Sequence, residues 1–98
     1  MIHLPPEELA LVKKILAVYV PDRRVVVFGS RATGGRLKPH SDLDLCIMGD
    51  APVDSETIGD LRNTFSASRL PIRVDILDWA SASPILRENI TQQAQDIT

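Results

Sequence analysis

The run Arg24-Val25-Val26-Val27-Phe28 leaves this chain few options. Three β-branched residues and an aromatic lose side-chain freedom in a helix and pack well on a pleated surface, so the run reads as a strand. No polar residue alternates into it, which marks a buried strand that other elements must cover. It ends abruptly at Gly29-Ser30. Two further segments read as strands, Asp42-Leu43-Asp44-Leu45-Cys46-Ile47-Met48 and Ile72-Arg73-Val74-Asp75-Ile76-Leu77. In the second, Ile72, Val74 and Ile76 point one way and Arg73 and Asp75 the other.

Helical patterns alternate with these strands. After Pro5-Pro6, Val12, Ile15, Leu16 and Tyr19 follow the spacing of an amphipathic helix, with Glu7 and Glu8 where its N-terminus favours negative charge. Lys13 and Lys14 fall on its polar side, and Pro21-Asp22 stops it. Arg31 to Gly35 has room for one or two helical turns. Asp54 or Ser55 can cap a helix whose core stripe is Ile58, Leu61 and Phe65. Pro84 opens a last helix, with Ile85, Leu86, Asn89 and Ile90 expected on one side. The order αβ(α)βαβα predicts an α/β domain with a three-stranded sheet and flanking helices.

A length of 98 residues suits a single domain over 1–98, large enough to bury a core without staples. There is no apolar run of membrane-spanning length and no basic-apolar leader, so a cytoplasmic protein without membrane association is expected. The one cysteine, Cys46, lies between Leu45 and Ile47 and reads as a small buried hydrophobe. A formal net charge of −2 argues against general nucleic-acid binding. It leaves room for a nucleotide, where metal ions supply much of the positive charge.

Three aspartates stand where strands disfavour them. Asp42 and Asp44 are two apart and share one strand face, and Asp75 is flanked by Val74 and Ile76. Taken singly, Asp42 reads as a turn or cap residue, Asp44 as an arginine partner, and Asp75 as a partner of Arg73 or an exposed edge residue. Gathered in a half-buried place, they repel one another and lose hydration. A divalent cation resolves both costs, and hard oxygen ligands suit Mg²⁺. Gly29-Ser30, between a buried strand and a short helical turn, offers backbone N–H groups and a hydroxyl to a phosphate. No Gly-Lys-Ser/Thr follows, so it is not a Walker A loop.

Gly29-Ser30-Arg31-Ala32-Thr33-Gly34, followed by Pro39-His40-Ser41-Asp42-Leu43-Asp44-Leu45, resembles the signature of the DNA polymerase β-type nucleotidyltransferase superfamily. Its minimal (MNT) branch, whose members often serve as antitoxins beside HEPN proteins, is the most similar. The likeness runs through the leading helix, the Asp75 strand and the closing helix at Pro84–Ile90. The resemblance implies the small nucleotidyltransferase fold, with a mixed three-stranded sheet. It implies that Gly29 and Ser30 contact a triphosphate. It also implies that Asp42, Asp44 and Asp75 are catalytic and hold Mg²⁺ or Mn²⁺, with Asp75 helping to deprotonate the attacking hydroxyl. ATP is the expected substrate, and AMP would pass to a tyrosine of a HEPN toxin. Arg31, then Arg36 or Lys38, are candidate phosphate neutralisers, although a solvated surface explains Arg36 and Lys38 equally well. His3 and His40 read as plain loop residues, and Trp79 as packing for the last helix.

Two other functions are compatible with the same residues. One is a catalytically silent antitoxin that blocks its partner by binding; retention of all three carboxylates weighs against it. The other is transfer to a small molecule. Within 98 residues there is no room for the extra acceptor-binding domain of larger relatives, which weighs against that.

Overall fold

A computed structural model describes residues 1–98. The elements are α1 (Pro6–Tyr19), β1 (Val25–Phe28), α2 (Ser30–Thr33), β2 (Leu43–Ile47), α3 (Ser55–Ala67), β3 (Val74–Asp78), a 3₁₀ turn (Trp79–Ser81), α4 (Pro84–Gln93) and β4 (Gln95–Asp96). The strands form one sheet in the order β3-β2-β1-β4. β1 runs antiparallel to both neighbours, and β2 and β3 are parallel. The α/β class and the mixed sheet agree with expectation.

The strand count does not. The sheet has four strands, and β4 corrects the expected three. Gln95 and Asp96 have no apolar alternation and low strand propensity, so nothing local marks them. They become a strand because Val26 and Val27 of β1 lie opposite them with backbone groups to satisfy. Ile97 follows and is buried, its N–H donating to the Val25 carbonyl at 3.1 Å.

Alternation along β1 and β2 builds two apolar layers. Val25, Val27, Leu43, Leu45 and Ile47 face α1 and α3, meeting Val12, Ile15, Leu16, Leu61 and Phe65. Val26 and Cys46 face the other way, onto Ile90 of α4, with Phe28, Leu77, Trp79 and Leu86 around them. This two-sided burial is what the uninterrupted valine run required. Ile85 is a second correction, at 76% exposed. Leu86 and Ile90, four apart, set the inner face of α4, and Ile85 lies about 100° round the helix from Leu86. Trp79 packs beside α4 as expected. The Arg87 guanidinium lies 5.0 Å from its ring centre and Arg87 Nε donates to its carbonyl at 3.0 Å. No helix is long and apolar enough to cross a membrane.

Candidate active site

The face of β2 that meets α4 changes character along its length. Cys46 is covered, and two residues earlier Asp44 lies half-buried beyond the reach of Ile90. Asp44 stands opposite Phe28 of β1 on one side and opposite Asp75 of β3 on the other. Residues paired across neighbouring strands point to the same face, so Asp44 and Asp75 share one side of the sheet. Asp42, just ahead of β2 and two residues from Asp44, adds a third carboxylate nearby. The consequence is electrostatic. Burial first, then the charges of Asp75 and Asp42, push the Asp44 carboxyl above its ordinary value of 3.8.

Gly29 sits against this carboxylate. Its φ of 73° and ψ of −158° form a combination open essentially to glycine alone, and a Cβ at that position would run into Asp44 Oδ2. The backbone thus turns out of β1 directly beside the acid group, and Ser30 begins α2 at once. Gly34, with φ of 78°, ends α2 after one turn.

Two residues expected to contact phosphate have partners within the chain. The Gly29 N–H donates to Gln93 Oε1 of α4 at 2.9 Å. Arg31 is 6% exposed. Its guanidinium donates to the carbonyls of His3 (3.0 Å), Pro39 (3.2 Å) and Ser41 (3.0 and 3.2 Å). A guanidinium has five donors in a rigid fork, and here it bridges the carbonyls of three residues, so the side chain pins residues 39–41 in front of β2. That loop delivers Asp42. Arg36, Lys38 and His40 are exposed on it. Gln93 had no signal in the sequence, being one polar residue at the end of an amphipathic helix.

Asp75 also has a local partner, since Arg73 Nη2 donates to its Oδ1 at 3.2 Å. As the side chains stand, no three His, Cys, Asp or Glu residues are gathered closely enough to hold a metal ion. The donor chemistry nonetheless suits a divalent cation: hard carboxylate oxygens on one face, with Asp44 destabilised as an anion by its neighbours. Both members of the Arg73–Asp75 pair are exposed, and such a pair is worth less than about 1 kcal/mol, so it would oppose a cation at Asp75 only weakly. The three surface concavities lie elsewhere, between α1 and α3, at the C-terminal end of β3, and beside Phe65 and Arg73. On the acidic face the Asp75 side chain is 44% exposed, so that carboxylate is reached from solvent.

The family description "Polymerase beta, Nucleotidyltransferase" matches residues 11–98. The chain belongs to this family. A curated relative, "Probable protein adenylyltransferase MntA" of Haemophilus influenzae, is 48% identical over 89 residues, covering 91% of this chain and 77% of the relative. Among solved structures, a toxin–antitoxin complex with AMP-PNP superposes with a TM-score of 0.74 at 25% identity, over 96% of this chain and 73% of that one. A tri-AMPylated Shewanella oneidensis HEPN toxin in complex with its MNT antitoxin gives 0.71 at 22% identity, over 94% and 70%, and at that identity it speaks for the fold alone. For this nucleotidyltransferase, the acidic face beside the Gly29-Ser30 turn is the candidate active site.

Proposed function

We infer that this chain is an ATP-using protein adenylyltransferase that acts as the antitoxin of a HEPN-family partner. The observation that carries the reading is the pairing of Asp44 with Asp75 across β2 and β3, beside the glycine turn. The 48% identity to an adenylyltransferase supports the reaction, and the toxin–antitoxin complexes of like fold support the partner.

In this reading Ser30 meets the triphosphate, and Gly29 lets the backbone turn close to Asp44. Asp42, Asp44 and Asp75 would hold Mg²⁺ or Mn²⁺, which when bound supplies the charge that neutralises the phosphates and acidifies the attacking hydroxyl. The hydroxyl oxygen attacks the α-phosphorus of ATP, and the bond from that phosphorus to the bridging oxygen breaks. Pyrophosphate leaves, and Asp75 accepts the hydroxyl proton. The exposed Asp75 carboxylate fits an acceptor presented by another protein, because a side chain on a partner's surface reaches it without an enclosing pocket.

The test is transfer from α-labelled ATP to a co-expressed HEPN partner. Wild type should label the partner. Asp42→Asn combined with Asp44→Asn should abolish labelling while partner affinity is largely kept, since these groups are a small part of an ordinary interface. A wild type that never labels the partner, yet neutralises it in cells as the double mutant does, would overturn catalysis in favour of a steric antitoxin.

A further inference from the structure

We propose that Gln93 is a positioning residue for the ATP triphosphate, acting through the backbone amide of Gly29. The inference rests on the transferase reading above. β1 and β4 pair at Val26 with Asp96 and at Val27 with Gln95. Carried on antiparallel, the same register brings Gly29 opposite Gln93. Gln93 is the last residue of α4, so no strand backbone stands at that rung. Its side chain stands there instead, and Gly29 N–H donates to Gln93 Oε1 at 2.9 Å. The carboxamide extends the β1·β4 ladder one rung past the backbone strand, onto the residue that opens the turn.

The placement has a physical consequence. Glycine takes either sign of φ with little preference, so the peptide entering Gly29 is the least constrained in the turn unless something holds it. Gln93 holds it from a rigid base. Ile90, one helical turn earlier, is fully buried against Val26 and Cys46. Beyond Gln93, the Val25 N–H donates to Thr98 Oγ1 at 2.8 Å and Arg24 pairs with Asp96 at 2.7 Å. With the amide fixed, the turn that leads from Gly29 into Ser30 keeps one orientation, and ATP binds without first ordering it. The Gly29 amide is satisfied, so the Ser30 hydroxyl and the backbone N–H groups that open α2 are left as the turn's phosphate contacts. A neutral carboxamide suits the position, because a carboxylate would repel the triphosphate.

Gln93→Met keeps the length of the side chain and removes the acceptor. Its AMP transfer to the HEPN partner is compared with wild type as a function of MgATP, alongside the hydrogen exchange of the Gly29 amide followed by NMR. The expected result is faster Gly29 exchange and a KM for ATP raised about three- to tenfold, the worth of one hydrogen bond, with kcat within about twofold. Faster exchange with unchanged KM would overturn the proposal while the transferase reading stands. A fall in kcat that tracks a lowered Tm would also overturn it, by showing a purely structural contact. A wild type that transfers no AMP overturns the transferase reading, and this inference with it.

Discussion

At Gly29 a backbone constraint and a side-chain constraint coincide. The φ/ψ pair excludes other residues, and Asp44 occupies the space where a Cβ would go. Gly29→Ala should therefore cost about 1–3 kcal/mol of stability from the backbone alone, read by urea denaturation, and should displace Asp44 as well. Asp44 carries its own prediction. Its carboxyl titrates above the ordinary value of 3.8 when folded, so between that value and the raised one the folded chain binds more protons than the unfolded chain. Stability without metal then falls as pH rises through this window, and the cost is fully present above it. Asp44→Asn removes the group. It should be more stable than wild type at neutral pH without metal, and the gap should shrink as pH falls below 3.8. A gap that stays constant across pH would show that Asp44 carries no such cost. The same residues mark what sequence reasoning reaches. Asp42, Asp44 and Asp75 were legible because acids are out of place in strands. The engagement of Arg31 was not, because its partners His3, Pro39 and Ser41 meet only when the loop folds.

Among the elements, α4 links the core to the candidate site. Ile90 has no exposed surface and meets Val26 and Cys46, while Gln93 at the helix end holds the Gly29 amide. Ile90→Ala should cost about 2–5 kcal/mol through the cavity it leaves, measured by chemical denaturation. ATP affinity should fall with it, because a loosened α4 carries Gln93 away from the turn. Unchanged ATP affinity in a folded Ile90→Ala protein would show that α4 and the turn are independent. Cys46, beneath the same helix, is pushed up to about 11 by burial and by Asp78, against a smaller opposite effect of Arg87, and is a packing residue and not a nucleophile at neutral pH. Helix α4 itself was legible from Pro84 onward. The inner face expected for it, Ile85, Leu86, Asn89 and Ile90, was wrong at Ile85 and Asn89, which are exposed, because Ile85 and Leu86 are equally apolar and the choice depends on where β1 and β2 lie.

For the whole molecule, charge decides how a triphosphate can be held. The formal net charge is −2, and Arg31 beside the turn is already committed to loop carbonyls. ATP binding should therefore depend on divalent metal. Calorimetry with Mg²⁺ against EDTA checks this, and equal affinity in both would count against the metal-dependent mechanism. By itself the sequence determined the α/β class, the three principal strands, the helices between them and the acidic residues with the glycine turn. Each rests on information within a few positions: hydrophobic period, β-branching, breakers and misplaced charge. Tertiary structure alone decided the fourth strand, the inner face of α4, the burial of Arg31 and the contact of Gln93 with Gly29. Gln95-Asp96, Arg31 and Gln93 are polar residues with no periodic pattern. What each does is set by the backbone group it meets: for Gln93 and Gln95-Asp96 those groups lie more than sixty residues away on β1, and for Arg31 they come together only when the loop at 39–41 and the N-terminal segment fold around it.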